Sequence, residues 1–490
     1  MNIRKILVAN RGEIAVRIMH TARRLGIATA AIYSEADASA LHVRTADEAV
    51  CVGPPEPARS YLDIEKIIQA ALERGADAIH PGYGFLSENA DFARAVSEAG
   101  LIFIGPPAEA ITLMGDKLAA KRLARRAGVN VLGGTDEPIR DAATARQVAE
   151  QIGFPVLLKA AAGGGGKGMR IVRTPETLTE SLERAQSEAR SAFGNDAVFI
   201  EKYLESPHHI EIQIFRDAHG RSVYLFEREC SIQRRHQKVI EEAPSPLMTP
   251  QLRREMGAAA LRLAEACGYV GAGTVEFLVD DDRNYYFLEM NTRLQVEHPV
   301  TEMITGQDLV AWQIAVAEGK PLPATQEDLS IRGHAIELRV YAEDPAQNFF
   351  PSTGRLFRYA PPVMPFVRVD SGVEEGDEVS RYYDPMLAKL VVWGATRTEA
   401  IRRMQAAVRA YEVGGVRTTL PFGLFVMSHP AFTEGAYNTH FVERHFRPDN
   451  LPQWSEHTEK AAAALAYLLS AAPTPRYPRV PDSPWWNRRR

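Results

Sequence analysis

The sequence predicts a multidomain protein that combines α/β and α+β folds, and three observations support this. The chain has 490 residues, and at about 100–200 residues per domain this length predicts two to four domains. Residues 1–115 alternate short apolar runs with helical patterns. Residues 196–291 contain several strand-like runs, and residues 331–446 form a further unit with its own strands and helix. We therefore expect domains at 1–115, 116–330 and 331–446, followed by a tail at 447–490.

The N-terminal region predicts a parallel sheet. Its helical pattern spans Glu13–Leu25, and its apolar runs are Ile6–Ala9, Ala28–Tyr33, Ala78–His80 and Leu101–Ile104. Strands that alternate with helices favour a parallel sheet with ligands at the carboxyl ends of the strands. The turn at Asn10-Arg-Gly12 resembles a dinucleotide-binding turn. With one glycine and no GxGxxG it supports a nucleotide there only weakly.

The central region predicts helices followed by strands. The helices lie around Lys117–Ala127 and Asp141–Ile152, and the strands are Pro155–Lys159, Val198–Lys202, His209–Phe215, Ser222–Glu227, Gly273–Leu278 and Tyr285–Asn291. The strand at His209–Phe215 alternates apolar and polar residues, which predicts one buried face and one polar face. Asp280–Asn284 predicts a hairpin turn between the last two strands. Further on, we expect strands near Ala335–Val340 and Leu387–Val392, a helix near Thr396–Tyr411, and an irregular tail at Pro473–Arg490.

Composition excludes several classes of function. The net charge of −5 does not favour a nucleic-acid or anionic-membrane partner. Cys51, Cys230 and Cys267 are far apart, so neither a disulfide framework nor a structural zinc site is supported. The sequence begins directly with a strand-like run and contains no apolar stretch of about 20 residues, so we expect neither a signal peptide nor a membrane helix. A cytoplasmic location is the resulting expectation.

A glycine loop at residues 161–169 is the first segment that suggests chemistry. Four consecutive glycines precede Lys167, and Lys159 lies just ahead of the loop. Glycine allows backbone N–H groups to approach phosphate oxygens closely. Lys167 is followed by Gly168 rather than Ser or Thr, so this is not a Walker A loop. A flexible linker is the alternative, but the position between two strand-like runs favours phosphate binding.

Two carboxylates lie on the two arms of the predicted hairpin. Glu276 is on the first arm, and Glu289 and Asn291 share one face of the second arm by the period of two. Oxygen ligands from two strands are typical of Mg²⁺ sites. For either carboxylate taken alone, the alternative is an ordinary solvated charge on the surface, and this alternative would be favoured.

Polar residues also cluster in two short runs. Ser231–Lys238 brings together polar and cationic side chains that can face an anionic ligand. In Arg293–His298, the residues Arg293, Gln295 and Glu297 alternate, so an extended backbone would direct all three at one site. Arginine can hold a small oxyanion with two hydrogen bonds, and a carboxylate beside it can take its proton. A surface salt bridge is the alternative for any one of these residues, but the whole cluster favours function.

Six segments together resemble the biotin carboxylase family. They are, in order, Val8–Ile14, His80–Asn89, Gly163–Met169, Glu201–Tyr203, Gln233–Lys238 and Glu289–His298. The resemblance covers about residues 1–446. It implies a Rossmann-like N-terminal domain, a central ATP-grasp domain with a mobile lid at about 131–203, and an α+β C-terminal domain. Another ATP-grasp ligase would share the nucleotide segments but not the run Arg293–His298.

The resemblance also implies the residues that bind ATP and a metal ion. Those near ATP would be Lys117, Lys159, Gly164, Gly165, Gly166, Met169, Glu201, Lys202, Leu204, His209, Gln233, His236 and Leu278. Within this set Lys117 and Lys159 would contact the phosphates, and Glu201, Lys202 and Leu204 would border the adenine. Glu276, Glu289 and Asn291 would hold Mg²⁺ or Mn²⁺.

The catalytic residues implied by the resemblance are Lys238, Arg293, Glu297 and Arg339. Bicarbonate would contact Lys238, Arg293, Gln295 and Val296. Glu297 would be the general base, and Arg339 would stabilise the enolate of biotin, as expected of a guanidinium directed at developing negative charge. Tyr83 would support the substrate site.

No Ala-Met-Lys-Met segment occurs in the sequence, so biotin is expected on a separate biotin carboxyl carrier protein. The other expected partners are carboxyltransferase subunits and a second copy of the chain in a homodimer. Acetyl-CoA carboxylase, and with it fatty acid biosynthesis, is the first expectation, ahead of propionyl-CoA, other acyl-CoA and pyruvate carboxylases. The chain is either a stand-alone subunit or part of a fused one. Two other hypotheses are an ATP-grasp carbon–nitrogen ligase with another acceptor and a non-catalytic nucleotide-binding subunit.

Overall fold

The computed structural model describes residues 2–135, 137–139, 141–160 and 169–451, together with residues 464, 465 and 467. The chain divides into two compact units, Met1–Phe446 and Arg447–Arg490. The second unit contains a short 3₁₀ turn at Pro448–Asn450; the predicted irregular tail lies outside the described residues. Among the described residues, no helix combines the length and apolar character needed to cross a bilayer.

The N-terminal part is a parallel sheet covered by helices, as the sequence predicts. Its strands are β1 (Lys5–Val8), β2 (Ala28–Ser34), β3 (Glu48–Gly53), β4 (Ala78–His80) and β5 (Ile102–Phe103), and its helices are α1 (Gly12–Arg24), α2 (Leu41–Thr45), α3 (Ile64–Glu73), α4 (Ala90–Glu98) and α5 (Ala108–Gly115). The strand order is β3-β2-β1-β4-β5. Ile6 and Val8 pack into one core while Leu7 and Ala9 pack into another, because successive strand residues point to opposite faces. The strand order reverses between β1 and β4, which opens a crevice at their carboxyl ends.

The next part of the chain forms a small sheet with its own core. After α6 (Lys117–Arg126), which packs into a different core, the elements of this part are α7 (Ala142–Ile152), β6 (Val156–Ala160), β7 (Arg170–Val172), α8 (Leu178–Phe193) and β8 (Val198–Lys202). β6 pairs antiparallel with both β7 and β8. Val156, Leu158 and Leu182 are among the buried residues of this core. These elements cover most of the predicted lid.

A large antiparallel sheet follows and carries the candidate site. Its first strands are β9 (His208–Arg216), β10 (Ser222–Arg234), β11 (Gln237–Ala243), β12 (Gly271–Val279) and β13 (Tyr285–Asn291), with helices α9 (Pro250–Ala266), α10 (His298–Thr305) and α11 (Leu309–Ala317). β12 and β13 form the predicted hairpin. β10 extends seven residues beyond the predicted end at Glu227, since it pairs with both β9 and β11.

The C-terminal strands extend the same sheet. The remaining elements are β14 (His334–Tyr341), β15 (Glu343–Asp344), β16 (Phe350–Pro351), β17 (Gly354–Arg355), β18 (Arg358–Ala360), β19 (Val367–Ser371), β20 (Glu378–Val379), β21 (Met386–Gly394), α12 (Arg397–Ala410), β22 (Glu412–Gly414), α13 (Leu420–Ser428), α14 (Pro430–Thr433) and α15 (Phe441–His445). The sheet order is β13-β12-β9-β10-β11-β14-β21-β19. Strand pairing therefore continues across the predicted boundary at residue 330, and the domain bounds stay predictions.

Candidate functional site

The polar face of β9 forms the floor of the candidate site. His209, Glu211 and Gln213 lie on this face, and the last two have no exposed area. The alternation predicts a half-buried strand, but both faces of β9 are buried. The reason is that α10 packs over this face, where the buried Thr301 of α10 accepts a hydrogen bond from Arg228, the cross-strand neighbour of Glu211.

Arg228 on β10 is a fully buried cation on the same face, opposite Glu211 in the strand register. Its guanidinium donates to Glu211, to Gln213 at 2.7 Å, and to the hydroxyls of Thr301 and Thr274 at 2.9 and 3.1 Å. A buried charge is tolerated only when it is paired and hydrogen-bonded. Arg228 and Glu211 are absent from the residues selected by sequence. The signal that points to Arg228 is its position between two carboxylates, Glu227 and Glu229, directly after the apolar run of residues 223–226.

Lys238 stands at the centre of three carboxylates. Its Nζ lies 2.5 Å from Glu211 Oε2, 2.7 Å from Glu276 Oε1 and 2.7 Å from Glu297 Oε1. Burial alone would lower the pKa of Lys238, but the three negative charges raise it well above its usual value. Lys238 is therefore an ammonium ion at neutral pH, fixed among acids that come from three different parts of the chain.

Glu297 is held between two cations. Lys238 contacts one of its oxygens at 2.7 Å, and Arg339 donates to the other at 3.0 Å. Arg339 also donates to Glu241 at 2.7 Å. Burial would raise the pKa of Glu297, but Lys238 and Arg339 lower it far below its ordinary value. Glu297 is therefore ionised at neutral pH, which is the form that can accept a proton.

The run from residue 292 to residue 297 is a series of bends and turns, so the extended backbone expected for it is wrong. The residues still converge. Arg293 donates to Gln295 at 2.8 Å, and Gln295 donates to Glu276 at 3.2 Å. Arg293 also donates to Glu88 at 2.8 Å, so an N-terminal residue orients it. The turn occurs because Glu297 is the residue directly before α10, so the chain enters a helix here rather than continuing a strand.

The three predicted metal ligands are neighbours. Glu276 and Glu289 are cross-strand partners on β12 and β13, and Asn291 donates to Glu276 at 2.9 Å. Glu276 is buried, whereas Glu289 is exposed. His209, Glu211 and Glu276 also place ligand atoms within 4.8 Å of one another. Two carboxylates with an amide oxygen nearby are a donor set that fits Mg²⁺.

Two predicted phosphate and adenine residues are paired with each other. Lys159 on β6 lies 2.7 Å from Glu201 on β8, and Lys121 lies 3.0 Å from the other oxygen of the same carboxylate. Burial would raise the pKa of Glu201, but the two lysines lower it. Lys202 directs its ammonium to the main-chain carbonyls of residues 153–154, both at 3.0 Å. Lys121 was not selected from the sequence.

The predicted ribose and phosphate residues lie at the β10–β11 end of the site. Gln233 Nε2 is 2.7 Å from His209 Nδ1. His236 is exposed and forms a two-residue turn with Arg235, with φ of 67° and 50° respectively. Left-handed backbone at two successive non-glycine residues is strained, and such strain concentrates at functional sites. Leu278 lies opposite His209 in the register of β12 and β9.

The remaining predicted site residues are less closely tied to this cluster. Lys117, Met169, Leu204, Tyr83 and Val296 are half-buried. Burial lowers the pKa of the Lys117 ammonium, while nearby Glu289 opposes this. The Tyr83 hydroxyl is buried and lacks a hydrogen-bond partner within the part of the chain that the structure describes. The three predicted loop glycines lie outside the described residues: Gly164, Gly165 and Gly166.

Three family models match the chain in succession. Residues 2–111 match "Biotin carboxylase, N-terminal domain", residues 116–325 match "Carbamoyl-phosphate synthase L chain, ATP binding domain", and residues 337–444 match "Biotin carboxylase C-terminal domain". Together they describe a Rossmann-like domain, an ATP-grasp domain and a C-terminal domain, as the resemblance implied.

Similar curated proteins are carboxylase chains. The propionyl-CoA carboxylase alpha chain of Ruegeria pomeroyi is 52% identical, over 95% of this chain and 72% of its own length. The alpha chain of the mitochondrial methylcrotonoyl-CoA carboxylase of Mus musculus is 50% identical, over 96% of this chain and 66% of its own length. A pyruvate carboxylase chain of Methanothermobacter thermautotrophicus is 53% identical, with 90% of each chain covered. The chain thus spans about two thirds of the length of the two acyl-CoA carboxylase relatives.

A solved structure agrees with these matches. The biotin carboxylase domain dimer of Hydrogenobacter thermophilus 2-oxoglutarate carboxylase, in complex with MgADP, ADP and bicarbonate, superposes with a TM-score of 0.88. It is 47% identical, with 93% of this chain and 100% of that chain covered. Matched along nearly its whole described length in sequence and in fold, this chain belongs to the biotin carboxylase family.

Proposed function

We propose that the chain carboxylates biotin at the expense of ATP and bicarbonate, as the first half-reaction of a biotin-dependent carboxylase. The observation that carries the proposal is the ion triad of Lys238, Glu297 and Arg339, in which one carboxylate bridges two cations at 2.7 and 3.0 Å. A small anion can bind to such cations, and the carboxylate between them can take its proton.

Bicarbonate would bind to Lys238, Arg293, Gln295 and Val296. Its negative charge competes with Glu297 for the Lys238 ammonium, so binding weakens the interaction that holds the Glu297 pKa low. Glu297 then becomes a better base as its substrate arrives. It takes the hydroxyl proton of bicarbonate while a bicarbonate oxygen forms a bond to the γ-phosphorus of ATP, and ADP leaves.

The product of this step is carboxyphosphate, which breaks down to CO₂ and phosphate. The phosphate takes the N1 proton of biotin, and the N1 electron pair attacks CO₂. Negative charge develops on the ureido oxygen of biotin during this step. Arg339 is already fixed by Glu241 and Glu297, so its guanidinium is pre-positioned to stabilise that charge without reorganising.

ATP would lie between the small sheet that carries Lys159 and Glu201 and the hairpin that carries Glu276 and Glu289. Lys117 and Lys159 would contact the phosphates, and Glu276, Glu289 and Asn291 would hold Mg²⁺ or Mn²⁺. The metal would supply charge neutralisation for the phosphates. His209, Gln233 and His236 would border the ribose and phosphates, and Lys202 and Leu204 would border the adenine.

The proposed partners are a biotin carboxyl carrier protein, carboxyltransferase subunits and a second copy of the chain. A dimer is supported by the Hydrogenobacter thermophilus domain, which is described as one. The relatives named above are propionyl-CoA, methylcrotonoyl-CoA and pyruvate carboxylase chains. They do not favour the expected acetyl-CoA carboxylase or the expected role in fatty acid biosynthesis. We propose an acyl-CoA as the final acceptor. The cytoplasmic location stays a prediction, and the Mus musculus relative is named as mitochondrial.

Phosphate release from ATP tests the proposal. We expect hydrolysis that requires bicarbonate and increases with free biotin. ATP binding without any effect of biotin would refute it, and release that instead depends on an amine acceptor would favour another carbon–nitrogen ligase. Acceptor identity is tested separately, with the biotinylated carrier and carboxyltransferase that co-purify with the chain and with acetyl-CoA, propionyl-CoA, methylcrotonoyl-CoA and pyruvate in parallel.

A further inference from the structure

The turn that begins α1 is occupied by protein contacts. Asn10 donates to the carbonyls of Pro81 and Tyr83, both at 2.7 Å. Arg11 donates twice to Asp37, at 2.6 and 2.8 Å. Both side chains are therefore committed to neighbouring loops, and the resemblance of this turn to a nucleotide-binding turn has no counterpart in its contacts. Gly12 follows, and the next side chain is that of Glu13, which is directed towards Lys389 rather than towards these loops.

Glu13 reaches into the C-terminal part of the protein. Its Oε2 lies 3.1 Å from Nζ of Lys389, and both side chains are buried. Asp370 is a second acid nearby, 3.8 Å from the same ammonium. The approach of α1 is close, since a Cβ added at Gly372 would lie 2.5 Å from the Glu13 amide nitrogen. The N-terminal turn and β21 are thus in direct contact through a buried ion pair.

Lys389 in turn holds the backbone of the site. Its Nζ donates to the carbonyl oxygen of Val296 at 3.1 Å. Val296 lies between Gln295 and Glu297, two of the residues that the proposed function assigns to bicarbonate chemistry. A fully buried ammonium is costly unless it is paired, and here its partners are one backbone carbonyl and two acids. We propose that Lys389, supported by Glu13, is a positioning residue that orients the bicarbonate turn at residues 293–297.

This inference rests on the proposed function and assigns a role to a segment that the chemistry does not use. Lys389 is not itself a reacting group: its ammonium donates to the Val296 carbonyl, and the proposed reaction uses no contact between Lys389 and a substrate. Its effect is on the direction of the residue 296–297 peptide, which sets where the Val296 backbone and the Glu297 carboxylate point. Loss of the contact should therefore weaken bicarbonate binding without changing ATP binding.

The test compares Lys389→Met and Glu13→Gln with the unchanged chain in bicarbonate-dependent ATP hydrolysis stimulated by free biotin. Met matches the aliphatic part of the lysine side chain but lacks the ammonium, and Gln keeps the shape of Glu13. We expect KM for bicarbonate to rise about tenfold in Lys389→Met and less in Glu13→Gln, with KM for ATP unchanged. Lys66→Met is the control, because Lys66 lies on the exposed surface of α3 and pairs with Asp63, the residue directly before that helix; its two KM values should not change.

The outcomes separate the inference from the function on which it rests. If the unchanged chain hydrolyses ATP with bicarbonate but both variants keep its KM for bicarbonate, the positioning role is refuted while the proposed function stands. A parallel rise of both KM values would also refute it, because a general distortion affects ATP equally. If Lys389→Met does not fold, Glu13→Gln decides alone. An unchanged chain without bicarbonate-dependent hydrolysis refutes the proposed function, and the positioning role with it.

Discussion

Replacing Glu297 by glutamine tests the proposed general base most directly. The substitution keeps the volume of a fully buried side chain but removes its charge. The amide oxygen can still accept from Lys238 or from Arg339, which lie 2.7 and 3.0 Å from the two carboxylate oxygens. Lys238 keeps Glu211 and Glu276 as counter-ions, so the site should remain folded and should still bind ATP.

The expected loss is in turnover. General acid–base catalysis contributes about 10²–10⁴ in rate, and an amide cannot take the bicarbonate proton. We therefore expect kcat of Glu297→Gln to fall by about that factor, with ATP affinity nearly unchanged. The assay is bicarbonate-dependent phosphate release with free biotin, combined with calorimetric titration of ATP. Glu98→Gln on the exposed surface of α4 is the matched control and should behave like the unchanged chain.

The pH profile provides a second check on the same residue. The pKa of Glu297 lies far below its ordinary value because of Lys238 and Arg339, so it stays ionised as the pH falls towards the weakly acidic range. If kcat/KM falls as the pH is lowered from about 8 to about 6, the titration of a group other than Glu297 should therefore cause the fall. A Glu297→Gln variant with turnover within about threefold of the unchanged chain would refute the base assignment.

Three other expectations follow from individual contacts. Arg339→Gln should reduce biotin-stimulated turnover by about 10²–10³ without loss of ATP binding, as measured in the same assay; full stimulation by biotin would contradict the enolate role. Burial would raise the pKa of Glu242, but its hydrogen bond to His334 and nearby positive charge lower it to about 2. Because the pKa of Glu242 is lower in the folded state than in the unfolded state, this carboxylate stabilises the fold above about pH 4.5. The contribution is lost as the pH falls towards 2. In Glu242→Gln, the loss of unfolding free energy over this pH range should therefore be smaller by about 3 kcal/mol, as measured in urea titrations. If the free energy of unfolding of Glu242→Gln depends on pH as in the unchanged chain, this contribution of Glu242 is excluded. Gly372→Ala should lower the free energy of unfolding by about 1–3 kcal/mol, because the added methyl would press on the Glu13 backbone; a Tm equal to that of the unchanged chain would show that the contact yields.

Local patterns in the sequence predicted much of the fold. The strand at Ala78–His80, the strand at Val198–Lys202 and the second arm of the hairpin at Tyr285–Asn291 agree with the structure at both ends. These segments are bounded by clear turn or glycine signals, and their apolar content depends only on neighbouring residues. The parallel N-terminal sheet followed in the same way from alternating strand and helix patterns.

Burial of polar residues depended on distant parts of the chain. The His209–Phe215 pattern predicts one polar face, and only the tertiary structure shows that α10 packs over that face. The run from Arg293 to Glu297 resembles an alternating strand, but the start of α10 bends it. Its residues nevertheless meet, because the turn brings Gln295 to Glu276 and Glu297 to Lys238.

The sequence by itself determined which residue types this protein brings to its chemistry, because its motifs are short and continuous and their residues are adjacent in the chain. The tertiary structure decided which of them touch. Lys238 gathers three acids from separate strands and a turn, and Lys389 links Glu13 to Val296 across hundreds of residues of chain. No local pattern encodes such pairs, since they exist only where folding removes water from opposite charges that lie far apart along the chain.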